Sequence, residues 1–307
     1  MPPATVQPVQ VIGPPASKRM THADLVKAVT SKCSLVLTSD VVLTGNLPAA
    51  NNAACPKIRI VGRCSGRKLC KIDGVDKYSF VNGAYDLLLE NLEITRMRSA
   101  DPNRAPVISG GSATVRHCRV TKNVNGVGDG VVRGRLTIEN TVFEDNRGGV
   151  LCLEDERGSF ANATDVVFRR NRNAQGGAVS AVESSFYCTR CLFERNVAEE
   201  AGGAVRLTDS DGTRARFKHC RFVGNKVTGK KGQAFGGAVY ISNIDPGVSF
   251  CHCQFDRNMA AGKLNHVYID GLEDSIAYFC PARPRSGIVI TPKTSEAFVK
   301  DGCTGCK

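Results

Sequence analysis

Apolar and polar positions recur along this chain with a period far longer than that of a helix or a single strand. The unit is a small or apolar residue, an aromatic two positions on, and Asn three residues beyond the aromatic. It appears as Thr141-Val-Phe143-Glu-Asp-Asn146, Val166-Val-Phe168-Arg-Arg-Asn171, Cys191-Leu-Phe193-Glu-Arg-Asn196, Cys220-Arg-Phe222-Val-Gly-Asn225 and Cys253-Gln-Phe255-Asp-Arg-Asn258. Cys118-Arg-Val120-Thr-Lys-Asn123 is an earlier copy with Val in the aromatic position. The Asn positions advance by 23, 25, 25, 29 and 33 residues, a solenoid period with loop insertions. A second element follows the Asn: Gly-Gly-Val at 148–150 and Gly-Gly-Ala-Val at 176–179, 202–205 and 236–239. The alternation after it, as in Val205-Arg206-Leu207-Thr208 and Val239-Tyr240-Ile241-Ser242, predicts a short strand with one buried face. Each coil therefore has at least two strands, joined at a corner where the backbone turns sharply and glycine's freedom at positive φ is needed.

These elements predict an all-β chain, a single-stranded right-handed parallel β-helix or solenoid. Strands of successive coils lie about 4.8 Å apart, so each inward residue must tolerate a copy of itself above and below. Phe, Val and Leu do so, and an Asn at a bend can bond the Asn or backbone of the next coil. The Asn column is read as scaffold. Cys118, Cys191, Cys220 and Cys253 share an inward column and are read as small packing hydrophobes, not as a metal or redox ladder. Residues 1–20 form a Pro-rich, flexible segment without the apolar core of a secretory signal. A short helix over Thr21–Thr30, with Thr21 as N-cap, closes the first coil of a β-helix spanning 21–279. Residues 280–307 lack the repeat and form a Cys-containing cap or tail.

Composition narrows the setting. No apolar run is long enough to span a bilayer as a helix. The net charge of +12 points to a polyanion: acidic polysaccharide, nucleic acid or an anionic surface. The basic residues are dispersed, with Lys230-Lys231 and Arg169-Arg170 the densest runs, so nucleic acid is not the expected partner. An acidic polysaccharide or a cell-surface protein is. Fourteen cysteines suit an oxidising compartment. Cys33, Cys55, Cys64 and Cys70 near one end, and Cys280, Cys303 and Cys306 near the other, read as disulfide staples on the end coils. The sequon Asn162-Ala163-Thr164 is compatible with secretion, and an extracellular or cell-wall location is expected.

The passage from Ser34-Leu-Val-Leu-Thr-Ser-Asp40 through Ile58-Arg-Ile-Val-Gly62 and Ile72-Asp-Gly74 to Tyr85-Asp-Leu-Leu-Leu-Glu-Asn91 resembles the opening coils of the pectin-lyase-like superfamily. The Phe-x-x-Asn and Gly-Gly-Ala-Val repeats resemble those of chlamydial polymorphic outer membrane proteins and related algal and microbial β-helix proteins. The resemblance covers about residues 30–270 and implies the fold. It implies no single activity, because that superfamily holds lyases, hydrolases, epimerases, adhesins and tailspikes. The Asn-Thr-Asp, Asp-Asp and Gly-His-Gly strings of the pectin hydrolases are absent. So are the epimerase Asp-Pro-His-Glu and the pectate-lyase Arg-x-Pro-x-x-Arg strings, and no catalytic residue carries over.

Outward positions supply the candidate site. Cys152, Ser180, Arg206, Tyr240 and Tyr268 fall in one outward column, and Glu154, Val182, Thr208, Ser242 and Asp270 in the next. Arg206, Thr208, Tyr240 and Tyr268 can grip a sugar chain by stacking and charge-assisted bonding. Asp155, Glu183 and Asp209 align at a corner, where stacked carboxylates need a cation, a base or full solvation; Ca2+ is the expected cation. With both sites, Arg206 or Tyr240 would abstract a sugar proton while Ca2+ neutralised a uronate. His117, His219 and His252 share a column, but only Cys251 is at hand as a third ligand, so they read as surface residues. The expectation is a secreted or wall-associated protein that binds acidic polysaccharide or another surface ligand. The alternative is a lyase or epimerase acting on uronate glycans.

Overall fold

The computed structural model describes residues 19–49, 55–83, 86–99, 101, 104–126, 130–154, 159–211, 214–230, 232–245, 247–270, 276–291, 299–303 and 306. One coil shows how the repeat becomes structure. Ser185–Thr189 is its first strand, with Phe186 and Cys188 pointing inward. Arg190 turns the chain at φ 53°, and Leu192–Glu194 carries Phe193 into the interior. Arg195 turns it again at φ 51°, which places Asn196 inside the bend. Val197–Ala201 leads to the Gly202-Gly203 corner, and Val205–Asp211 returns the chain with Val205 and Leu207 buried. Both bends use left-handed residues that are mostly polar, such as Asp165, Arg190 and His219 at the first and Asp145, Arg170 and Arg195 at the second. That conformation costs about 1–2 kcal/mol per residue. It is offset by backbone bonds to the neighbouring coil, such as Arg190 N to Lys218 O at 2.8 Å.

Stacked coils give a right-handed parallel β-helix with sheets of eleven, nine, nine and five strands, and a two-stranded sheet beside the lower coils. Registers match column to column, as in Phe143, Phe168, Phe193, Phe222 and Phe255. Their rings stack at 5.3, 4.9, 4.7 and 4.9 Å. A second aromatic column, Phe217, Phe250 and Phe279, stacks at 5.2 and 5.0 Å and meets the first edge-on. Each buried ring contributes roughly 1.5–3 kcal/mol by burial, with stacking beyond that.

The Asn column is a continuous ladder. Asn123, Asn146, Asn171, Asn196, Asn225 and Asn258 are fully buried. Each of the first five donates Nδ2 to the Oδ1 of the next at 2.9–3.0 Å. Each Nδ2 also donates to a carbonyl of the preceding coil, such as Asn196 to Phe168 O at 2.9 Å. At the top, Nδ2 of Asn258 meets His266 Nδ1 at 3.3 Å.

The Gly-Gly corner needs both glycines for different reasons. Gly176 and Gly202 adopt φ of 63° and 61°. At Gly177 a Cβ would lie 2.2 Å from the carbonyl oxygen of Gly203 in the next coil.

Both ends carry elements outside the repeat. The helix His22–Lys27 continues as a wider turn over Ala28–Lys32 and buries Leu25, Ala28 and Val29 against the first coil. Asp24 Oδ2 accepts bonds from Thr21 N at 2.9 Å and Thr21 Oγ1 at 2.8 Å. Cys33–Cys55 and Cys64–Cys70 staple this end, and Cys280–Cys303 and Cys251–Cys306 the other. In the last segment, Ile288–Thr291 and Val299–Asp301 add strands to two sheets. The inward column is not uniformly thiol: Cys191 is bonded to Cys188 across the first bend, because the bend brings residues three apart face to face. No helix among the described residues is long and apolar enough to cross a membrane.

Candidate functional site

The outward strip forms in the expected register, Ser180, Arg206, Tyr240 and Tyr268 side by side, but it is not an open surface. Phe235, from the loop preceding the Gly236 corner, lies 4.7 Å from the Tyr268 ring and 6.3 Å from Tyr240. Tyr240 stacks on Tyr268 at 5.7 Å. Tyr268 is left 8% exposed, and Thr208, in the neighbouring column, 3%. Neither offers the area a sugar ring needs. Tyr240 Oη donates to Asp270 Oδ2 at 3.3 Å, and burial raises its pKa, reinforced by the nearby Asp270 charge. A phenol so held is a poor base. Arg206 stays half-exposed beside it.

Of the predicted Ca2+ ligands, Asp155 lies outside the described residues, as does the side chain of Asp209. Glu183 is exposed at φ 49°, with its backbone N bonded to Thr208 O. His219 and His252 stack at 5.2 Å, but Cys251 is engaged with Cys306 and is not a third ligand.

A different site emerges one residue beyond the Asn ladder. Each ladder Asn hands the chain to the short fourth-sheet segment, whose first residue faces outward. In register these are Val124, Arg147, Arg172, Val197, Lys226 and Met259. Arg147, Arg172 and Lys226 are exposed and line one groove of about 550 Å³ with Asn125 and Asn173. Gly126 on its wall, with open space where a Cβ would stand, helps keep it clear. A second hollow of about 550 Å³ continues past Lys226 and Thr228 toward Met259. Glu199 is on the first groove's wall.

Electrostatics separate this column from the basic residues that the fold itself pairs. Arg119, Arg169 and Arg170 converge on the buried carboxylate of Glu144, the first two at 2.6 and 2.9 Å. One of the two densest basic runs in the sequence is thus paired within the fold. Arg96 is likewise paired with Asp73 at 2.6 Å and Arg190 with Asp165 at 2.6 Å. Burial would raise the Asp73 pKa, but the bonds from Arg96 hold it below the usual carboxylate range. Among the described residues, Arg147, Arg172 and Lys226 enter no ion pair, so their charge is available to a ligand. Sequence reading passed over them because the cations alternate with Val and Met. The signal was there as Asn146-Arg147, Asn171-Arg172 and Asn225-Lys226.

The model of the family described as "Right handed beta helix region" matches residues 80–266, more than half of the chain, and the chain belongs to that family. No curated protein and no solved structure gives a significant match.

Proposed function

We propose that this protein is a secreted or cell-wall-associated β-helix that binds an acidic polysaccharide along the groove of Arg147, Arg172 and Lys226. The observation that carries this reading is the unpaired cation column on a rigid ladder. Neighbouring coils repeat at about 4.8 Å, so Arg147 and Arg172 sit one coil rise apart and Lys226 two rises further on. A stiff polymer with anions at comparable spacing can meet all three without reorganising the protein, which keeps the ordering cost of binding low. The disulfides at both ends favour an oxidising compartment. Binding without catalysis is also favoured by the raised pKa of Tyr240, which disfavours a role in proton abstraction.

The test is retention on immobilised polygalacturonate and alginate against a neutral glucan, with and without Ca2+, with ultraviolet absorbance recording unsaturated products. Retention on the acidic polymers alone, weakening with salt and without products, is expected. Equal retention on the neutral glucan would overturn the reading, and unsaturated products would replace it with a lyase.

A further inference from the structure

The cysteines of the inward column form a connected set from the interior to a sheet edge. Cys188 and Cys191, 1% and 2% exposed, are joined as a disulfide. Cys220 occupies the next coil in the column of Cys191, and Cys253 the coil after it. Cys220 is fully buried, and its sulfur and those of Cys188 and Cys191 all lie within 4.8 Å of one another. Cys220 and Cys253 are free thiols, Cys253 half-buried. Gln254–Asp256, the strand that follows Cys253, is the last of its nine-stranded sheet, so among the described residues no further strand pairs with it on this side. Cys220 Sγ donates to Cys188 O and Cys253 Sγ to Phe217 O, each at 3.3 Å, and the neighbouring Cys253 thiol lowers the Cys220 pKa against the opposing effect of burial while its own is raised. The better nucleophile is therefore the sulfur beside the disulfide.

We propose that Cys188, Cys191, Cys220 and Cys253 form a thiol–disulfide exchange site, through which an external low-molecular-weight thiol reduces the buried bridge by way of Cys253. In the first step the Cys220 thiolate attacks Cys191 Sγ. The Cys220–Cys191 bond forms, the Cys191–Cys188 bond breaks, and Cys188 leaves as a thiolate that takes up the proton released at Cys220. In the second step Cys253 attacks Cys220 Sγ. The Cys253–Cys220 bond forms, the Cys220–Cys191 bond breaks, and Cys191 takes up the proton from Cys253. One disulfide and two thiols are present before and after, so the bridge migrates with no added oxidant. At the sheet edge an external thiol attacks Cys253 Sγ, giving a mixed disulfide and the Cys220 thiol. A second external thiol then releases Cys253. Two external thiols are oxidised to their disulfide as the protein bridge is reduced.

The experiment uses the folded protein and reduced glutathione, with timed iodoacetamide trapping and peptide mapping by mass spectrometry. Wild type is expected to hold mainly the Cys188–Cys191 bridge with a minor Cys220–Cys253 form before glutathione is added, and to become alkylated at Cys188 and Cys191 in full afterwards. C253S is expected to slow that alkylation at least tenfold, with the Cys33–Cys55 bridge as an internal reference that does not change. Equal rates in wild type and C253S would overturn the proposal. So would a wild-type map in which Cys188–Cys191 is the sole bridge among these four cysteines at every time and at pH 8, a result that needs no variant to fold.

Discussion

Arg147 pairs with Arg172 across adjacent coils, one residue beyond the bonded amides of Asn146 and Asn171. The ladder fixes the backbone, and the residue after each rung inherits that fixed position. Scaffold and candidate site are thus consecutive in sequence: the buried amide sets the spacing at which the exposed cation is displayed.

The ladder is expected to dominate local stability. Asn196 Oδ1 accepts from Asn171 N at 3.1 Å and Asn171 Nδ2 at 3.0 Å, while its Nδ2 donates to Asn225 Oδ1 at 3.0 Å and Phe168 O at 2.9 Å. Asn196→Ala takes a partner from buried groups on the two flanking coils, an orphaned group costing about 1–3 kcal/mol. A loss of about 3–5 kcal/mol in urea denaturation is expected. Asn196→Asp keeps the shape but turns a carboxylate toward two oxygens, and is expected to cost at least as much.

Gly177→Ala forces a Cβ against the Gly203 carbonyl of the next coil. It is expected to destabilise by about 3 kcal/mol or more. Gly126→Ala, with open space around the added carbon, is expected to stay within about 0.5 kcal/mol of wild type. Parallel thermal melts of the two variants check the contrast.

Burial holds the His266 pKa below its usual 6.5, against the pull of Asp256. The neutral ring accepts from Asn258 at Nδ1, and protonation would set donor against donor. The unfolded chain therefore takes up the proton more readily than the folded one. The stability contributed is fully present above about pH 6.5 and declines as pH falls toward the lowered folded value, by at most about 1.4 kcal/mol per pH unit. His22, also lowered by burial, acts in the same direction. Melting curves between pH 7.5 and 5.0 are expected to shift downward in wild type, and less so in His266→Gln.

Glu199 lies on the groove wall among the cations, where it opposes an anionic ligand. Glu199→Gln is expected to strengthen binding of a uronate oligomer about two- to fivefold at low salt, with the gain fading above physiological ionic strength. Isothermal titration at two salt concentrations reads this directly.

What was legible in the sequence was whatever stacks as like on like. Asn123 to Asn258 and Phe143 to Phe255 repeat because each residue must fit its own copy. The second aromatic column was hidden because Phe217, Phe250 and Phe279 continue Ile138, Ala163 and Cys188. There the interior asks only for apolar volume, so residue type drifts from coil to coil. The burial of Tyr268 was hidden for another reason: Phe235 belongs to an insertion that breaks the period, and its packing is not a property of the repeat. The pairing of Arg169 and Arg170 was hidden too, since Glu144 and Asp145, which they meet, lie a coil below.

The most direct measurement is the affinity of a uronate oligomer for three forms of the folded protein: wild type, the triple variant R147A/R172A/K226A, and the double variant R206A/Y240F. Each exposed cation is worth about 0.5–1 kcal/mol to an anionic ligand, so the triple variant is expected to bind about 10–100-fold more weakly. The double variant is expected to stay within about twofold of wild type. Full affinity in the triple variant, with loss in the double, would contradict the groove and return the site to the tyrosine strip.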